Sequence, residues 1–194
     1  QITQVLTNPT PSPKDFPKRQ NQKNHQTALP YEVIPDFWKW LWNNCNSDNV
    51  TKTAVATALL LGKRDKEVRM LIWDYIDFED STFNAPAYFT NLKGERENFT
   101  KNGKSHIQVM PTQLVELFKT IQPVTQNNAF ALSLHPEKPL SANTLAKVIK
   151  QYGWTDERGQ GATVHGLRNT LGTWMEDNVG WSEMLRKHTL QHTI

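Results

Sequence analysis

Val164-His165-Gly166-Leu167-Arg168 opens a stretch, Val164 to Asp177, whose apolar residues recur at helical spacing. On a helix His165 and Arg168 lie three apart and share a face. Leu167, Leu171 and Trp174 are spaced to form its buried stripe. Such a helix holds an imidazole and a guanidinium rigidly towards a cleft. Spacing alone fits a solvated histidine and arginine on an amphipathic helix at least as well, so the rest of the chain has to decide between the two.

Working outward, Ala142 to Tyr152 reads as a helix with Ser141 as its N-cap, and Trp181 to Gln191 as another. Upstream, Thr112 to Ile121 is helical in period. Ser81 to Phe89 and Glu97 to Met110 are β-prone, the second split by Asn102-Gly103, a strong hairpin signal. Before them come three predicted helices. Pro35 to Trp42 has proline in its first turn and Phe37, Trp38, Leu41 and Trp42 at helical spacing; Val50 to Leu61 stops at Gly62; Lys66 to Trp73 follows directly. Gln1 to Thr27 carries Pro9, Pro11, Pro13 and Pro17 among polar residues and has no apolar period. It reads as a linker or extended arm. Helices, a small antiparallel sheet, then helices define an α+β fold, mostly α, with the domain proper at residues 28–194.

Composition narrows the function classes. Hydrophobic residues are 37% of the 194, enough for one core. The longest apolar run, Ala54 to Leu61, is interrupted by Thr57 and falls short of a bilayer span, so no membrane partner is expected. Gln1 to Gln26 lacks the pattern of a signal peptide, and without an initiator Met the chain reads as a fragment of a longer protein. Cys45 is the single cysteine, which excludes an internal disulfide framework and fits a reducing compartment. A net charge of +3 permits nucleic-acid binding without demanding it.

Three further constellations carry chemistry. In Leu61-Gly62-Lys63-Arg64-Asp65-Lys66-Glu67 an arginine sits at a turn between helices, with an acid three residues on that can orient its guanidinium. A helix start with a solvated charge cluster reads the same way. In Phe99 to Val109 the Asn102-Gly103 turn lifts Lys101 to the tip of a mobile hairpin, with Lys104 across it; a solvated turn lysine is the ordinary alternative. His188 and His192 are four apart, a metal-ligand spacing, but Thr189 stands where the metalloprotease pattern needs glutamate, so no metal is expected.

Taken in order, these pieces resemble the tyrosine recombinases, the family of phage and genomic-island integrases. GKRDKEVRMLIWDYID resembles the first arginine box, HGLR the HxxR box and LQH the later LxH box, and LPYEVIPDFWKWLW is similar to the start of the catalytic domain. The resemblance covers Ala28 to Ile194. It implies Arg64, Lys101, His165, Arg168 and His192 as catalytic residues, with Glu67 supporting Arg64 and Lys104 a second candidate for the lysine role. It further implies metal-independent DNA strand exchange through a 3′-phosphotyrosyl intermediate, with no cofactor. The two arginines and His192 would hold the phosphate oxygens, His165 would act as base or proton shuttle, and Lys101 would protonate the 5′-oxygen. The implied partners are double-stranded DNA attachment sites, a homotetramer on DNA, and excision or host architectural factors, in the cytoplasm and nucleoid of a bacterial cell. Residues 1–27 would then be the linker from a preceding DNA-binding domain.

One departure stands out. The family's tyrosine follows the LxH box, whereas Tyr31, Tyr75, Tyr88 and Tyr152 all precede the HxxR box, so the nucleophile is expected beyond residue 194. Lys147, Lys150 and Arg158 are candidate DNA contacts, equally readable as surface charges. A type IB topoisomerase-like nicking-closing enzyme and a degenerate integrase acting only as a DNA-binding module remain as alternatives.

Overall fold

The computed structural model describes residues 26–91 and 93–190. The expected arm up to residue 25 and the expected site residue His192 lie outside them. Seven α-helices are described: α1 Ile34–Asn43, α2 Asn49–Leu60, α3 Asp65–Arg69, α4 Thr112–Thr125, α5 Thr144–Tyr152, α6 Val164–Val179 and α7 Glu183–Thr189. The strands are β1 Ile76–Asp77, β2 Thr82–Ala85, β3 Tyr88–Thr90, β4 Arg96–Asn98 and β5 His106–Val109.

Helix α2 is the axis on which α3, α4, α5 and α6 pack. Every residue from Val50 to Leu59 is buried. Alanines 54, 56 and 58 let neighbouring helices approach closely. The buried threonines spend their hydroxyls within the helix, Thr53 donating to the Asn49 carbonyl and Thr57 to the Thr53 carbonyl, each at 2.8 Å. Asp48 caps the helix, accepting from the Thr51 amide at 2.7 Å.

The α+β architecture is the expected one, but several local expectations change. Strand Ser81 to Phe89 is two strands, because Pro86 interrupts it. β2 joins the sheet β1-β2-β5, while β3 pairs with β4. The Asn102-Gly103 turn therefore links strands of different sheets and closes no two-stranded hairpin. α3 ends at Arg69 where Lys66 to Trp73 was expected; Met70 is its C-cap, and beyond it the Leu71 carbonyl accepts from the Ala131 amide at 2.8 Å. α4 runs past Ile121 and through Pro123; the Trp73 indole donates to its terminal Thr125 carbonyl at 3.0 Å.

Asn143, not Ser141, occupies the N-cap position of α5; Ser141 instead accepts from the Thr144 amide through its carbonyl. α7 begins after Ser182, whose hydroxyl accepts from the Leu185 amide. Trp181, expected in α7, closes α6 by donating its amide to the Met175 carbonyl beside the left-handed Gly180. On α6 the buried set is Gly166, Leu167, Arg168, Thr170, Gly172 and Met175. Trp174, expected in the stripe, is 44% exposed, and Leu171 is only partly covered. The buried face is rotated so that the arginine itself points inward.

Candidate active site

The site forms where α2 ends. Gly62 adopts φ +57°, and a Cβ there would lie 2.6 Å from a Leu190 methyl and 3.1 Å from one of Leu171. Only glycine permits both the left-handed turn and this approach. The turn exposes two carbonyls that lack helical partners. Gln108 Nε2 donates to the Leu61 carbonyl at 3.2 Å, and Arg168 Nη1 donates to the Gly62 carbonyl at 2.5 Å.

Arg64 is the N-cap of α3, in extended conformation. Glu67, three residues on, folds back over it. One carboxylate oxygen accepts from the guanidinium Nη1 at 2.8 Å and the other from the Arg64 amide at 3.2 Å. Glu67 is 2% exposed, so this ion pair is held away from water on the acid's side. The acid thus orients the guanidinium and closes the first turn of the helix.

Helix α6 delivers His165 and Arg168. Thr163 caps it, its hydroxyl accepting from the Gly166 amide at 2.9 Å. Arg168 is 1% exposed. Burial first, and then the Arg64 charge, lower its pKa to about 10, with Glu67 opposing; it remains a cation at neutral pH. His165 is exposed at the rim. Its imidazole is held below the usual histidine pKa by partial desolvation and then by the charges of Arg168, Arg64 and Lys101. Three cations supplied by α6, the α2–α3 turn and the β4–β5 connection thus act on one histidine.

Lys101 lies in that connection, on a turn closed by the Gly103 amide donating to the Thr100 carbonyl at 3.1 Å, with Gly103 at φ +63°. Lys101 and Lys104 are both exposed. Of the two, Lys101 is the one whose charge acts on His165. The Lys104 backbone is tied down, its carbonyl accepting from the Thr100 hydroxyl at 2.8 Å.

Three residues near the cluster were not singled out in the sequence. Lys63 is 2% exposed, its ammonium 4.9 Å from the Phe83 ring centroid. Burial lowers its pKa to about 8; Glu67 opposes this, while Arg168 and Arg64 reinforce it. His106 and Gln108 face inward from β5, while Ile107 and Val109 point to solvent. The His106 ring contacts His188 of α7, centroids 5.7 Å apart, and its pKa falls to about 4 through desolvation and then the Lys63 and His188 charges. A polar residue at every inward position of His106-Ile107-Gln108-Val109 is an inverted alternation, and it was the available signal.

The four tyrosines are engaged elsewhere. Tyr152 packs on Phe37 and Trp40, Tyr75 on Phe99, and Tyr88 lies under Arg96; Tyr31 lines a surface pocket with Trp38 and Trp174. Lys147, Lys150 and Arg158 are exposed on α5 and the loop after it. Among the described residues no group of three or more His, Cys, Asp or Glu side chains is placed to hold a metal ion. Nor is any helix among them long and apolar enough to cross a membrane.

The mostly helical domain thus brings the arginine of the α2–α3 turn and the His165–Arg168 pair of α6 to the end of α2. The phage integrase family profile matches residues 35–193, and the chain belongs to that family. It is 26% identical over 185 residues to the prophage integrase IntZ of Escherichia coli K12, covering 93% of this chain and 41% of that protein. It is 30% identical over 177 residues to the integrase of Shigella phage Sf6, covering 88% and 41%. The chain thus spans about two fifths of the length of the curated relatives it matches. Among solved structures, the Tn1549 transposon integrase in complex with a circular intermediate DNA superposes with a TM-score of 0.70 at 16% identity, over 90% of this chain and 60% of that one. A lambda integrase tetramer bound to a Holliday junction gives 0.57 at 17% identity, over 87% and 47%. The fold is that of a tyrosine recombinase catalytic domain.

Proposed function

We propose that this chain is the phosphate-activating domain of a site-specific DNA recombinase, which integrates or excises a mobile element by transesterification at duplex attachment sites. The observation that carries this reading is the buried Arg168, three residues from His165 on α6, bound to the Gly62 carbonyl two residues ahead of Arg64, which Glu67 clasps. Attack on a phosphodiester concentrates negative charge on the non-bridging oxygens. Two fork-shaped groups, cationic at neutral pH and fixed before the substrate arrives, stabilise that charge without reorganising.

In this reading His165 is neutral at physiological pH and takes or relays the proton of the attacking tyrosine hydroxyl. The tyrosine oxygen bonds to phosphorus, the bond to the 5′-oxygen breaks, and Lys101 protonates that leaving group. The resulting 3′-phosphotyrosyl linkage conserves the bond for rejoining by the partner strand's 5′-hydroxyl. His192 supplies a further hydrogen bond to the phosphate. The nucleophile comes from the segment that follows the LxH box in the family. A homotetramer on DNA is supported by the lambda integrase tetramer that the fold resembles, and work on a bacterial chromosome in the cytoplasm by the prophage relatives.

The test uses the full-length protein and a nicked duplex that traps the covalent complex. Arg64→Ala and Arg168→Ala should each lower the rate of complex formation by about 100-fold or more. Duplex binding, which rests on many phosphates, should change little. Wild-type rates of covalent complex formation in both variants would remove the basis of the proposal.

A further inference from the structure

Residues 26–30 run along α6 on the side away from the cationic cluster, ahead of the segment the family profile matches. Four hydrogen bonds join this segment to α6 and the loop before it. The Thr163 amide donates to the Thr27 carbonyl at 3.1 Å, and the Thr170 hydroxyl to the Leu29 carbonyl at 2.5 Å. The Asn169 side-chain amide donates to the Gln26 carbonyl at 3.4 Å, and the Thr27 hydroxyl to Gln160 Oε1 at 3.4 Å. Leu29 is buried in the main core and anchors the far end.

Between the first two bonds the segment crosses the helix in direct contact. A Cβ on Gly166 would lie 1.9 Å from the Thr27 carbonyl oxygen, 2.7 Å from its carbon and 3.0 Å from the Ala28 Cα. Backbone cannot yield as a flexible side chain does, so no side chain fits at position 166 while the segment is in place. Gly166 stands between His165 and Arg168 in sequence and, with Thr170 four residues on, faces the opposite way. Thr163, whose hydroxyl caps α6, is itself held by Thr27. The segment therefore fixes both the start of the helix and its seating against the α2–α3 turn, where Arg168 grips the Gly62 carbonyl.

We propose that residues 26–30 form a positioning strap for the His165–Arg168 helix, and that Gly166 and Thr170 are positioning residues that act through it. The inference rests on the proposed function for its catalytic consequence, but its structural part stands alone. The strap presses α6 from behind, so the guanidinium and imidazole keep their register when DNA enters from the other side. Small displacements of such groups are costly: a misplacement of about 1 Å can reduce a rate by about 100-fold.

The experiment compares Gly166→Ala, Thr170→Val and Thr170→Ser in the full-length protein. Valine keeps the shape of threonine without the hydroxyl, and serine restores the hydroxyl. Alanine has the higher helix propensity, so any loosening in Gly166→Ala cannot come from a weaker helix. Hydrogen exchange, read without DNA, should show faster exchange of the Thr163 and 166–170 amides in Gly166→Ala and Thr170→Val, with Thr170→Ser close to wild type. Unchanged exchange in both of the first two variants would overturn the strap.

Single-turnover cleavage of a nicked duplex spanning the junction of the encoding element and its chromosomal flank gives the second readout. Amplitude reports the folded fraction and the rate constant reports the site. The rate constant should fall by about tenfold or more in Gly166→Ala and Thr170→Val, with amplitude and duplex affinity preserved and Thr170→Ser recovering the rate. Wild-type rates in both, in a protein whose Arg168→Ala variant is inactive, would overturn the positioning role. If Arg168→Ala cleaved normally, the functional reading would fall instead, and the exchange data would still decide the strap. Should Gly166→Ala fail to fold, the Thr170 pair carries the test.

Discussion

Glu67 shows how much one buried carboxylate can organise. It clasps Arg64 at 2.8 Å and lies close enough to Lys63 to raise its pKa against burial. Removing it takes away a buried negative charge that both cations share. Glu67→Gln should therefore lower stability by about 3 kcal/mol, measured by urea unfolding at pH 7, and slow cleavage by letting Arg64 swing. Lys63 itself is a buried charge on the unfavourable side of the ledger. Its folded pKa of about 8 lies below its unfolded value of 10.5, so the unfolded chain binds more protons between those limits. Stability should rise with pH across that window, and Lys63→Met should abolish the rise and stabilise the fold at pH 7. His106 obeys the same sign lower down. With its pKa moved from 6.5 to about 4, its contribution is full above pH 6.5 and lost as pH falls through 4. His106→Leu should flatten the acid limb of the stability curve between those values. Arg64, Glu67, His165 and Arg168 were legible in the sequence because each sits in a local box. Lys63 was not, since a lysine beside an arginine at a helix start looks like a solvated charge run. Only tertiary packing against Phe83 makes it buried.

At the scale of elements, the site depends on ends and turns more than on regular structure. The C-terminal turn of α2 offers its carbonyls to Arg168 and Gln108, and Gly62 makes that turn possible. Gly62→Ala would combine a positive φ with a Cβ against Leu190. It should cost about 2 kcal/mol in stability and loosen the Arg168 contact, which slower cleavage per folded molecule would report. The 99–105 connection was expected as a hairpin and proved to be a bridge between two sheets, because strand pairing is set by long-range register that Asn-Gly cannot reveal. Its exposed Lys101 still acts on His165. If Lys101 protonates the 5′-oxygen, a substrate with sulfur at that bridging position, whose thiolate leaves unaided, should restore cleavage to Lys101→Ala. Restoration of Lys104→Ala instead would move the role to Lys104. The period of α6 was plain in the sequence, but the orientation of its faces was not. Trp174 faces outward and Arg168 inward because Gly62 and the strap, far away in sequence, decide which side is covered.

For the molecule as a whole, α2 is the hub against which the two arginine-bearing boxes, on α3 and α6, come together. The boxes were legible in order, and their convergence is a property of the packing of α3 and α6 against α2 and of the sheet beside it. A chain of modest charge, +3 over 194 residues, neutralises few phosphates from one face, so duplex binding by this domain should be weak and should fall only shallowly with added salt. What the fold concentrates is positive charge at the end of α2, where the proposed function places one phosphate. The central claim is that Arg64 and Arg168 stabilise negative charge developing on the non-bridging oxygens of that phosphate. The most direct measurement places a methylphosphonate, which lacks one of those charges, at the scissile position and compares cleavage by full-length wild type and Arg168→Ala. The loss on ordinary DNA, about 100-fold or more, should shrink sharply on the methylphosphonate. An equal loss on both substrates would contradict the claim.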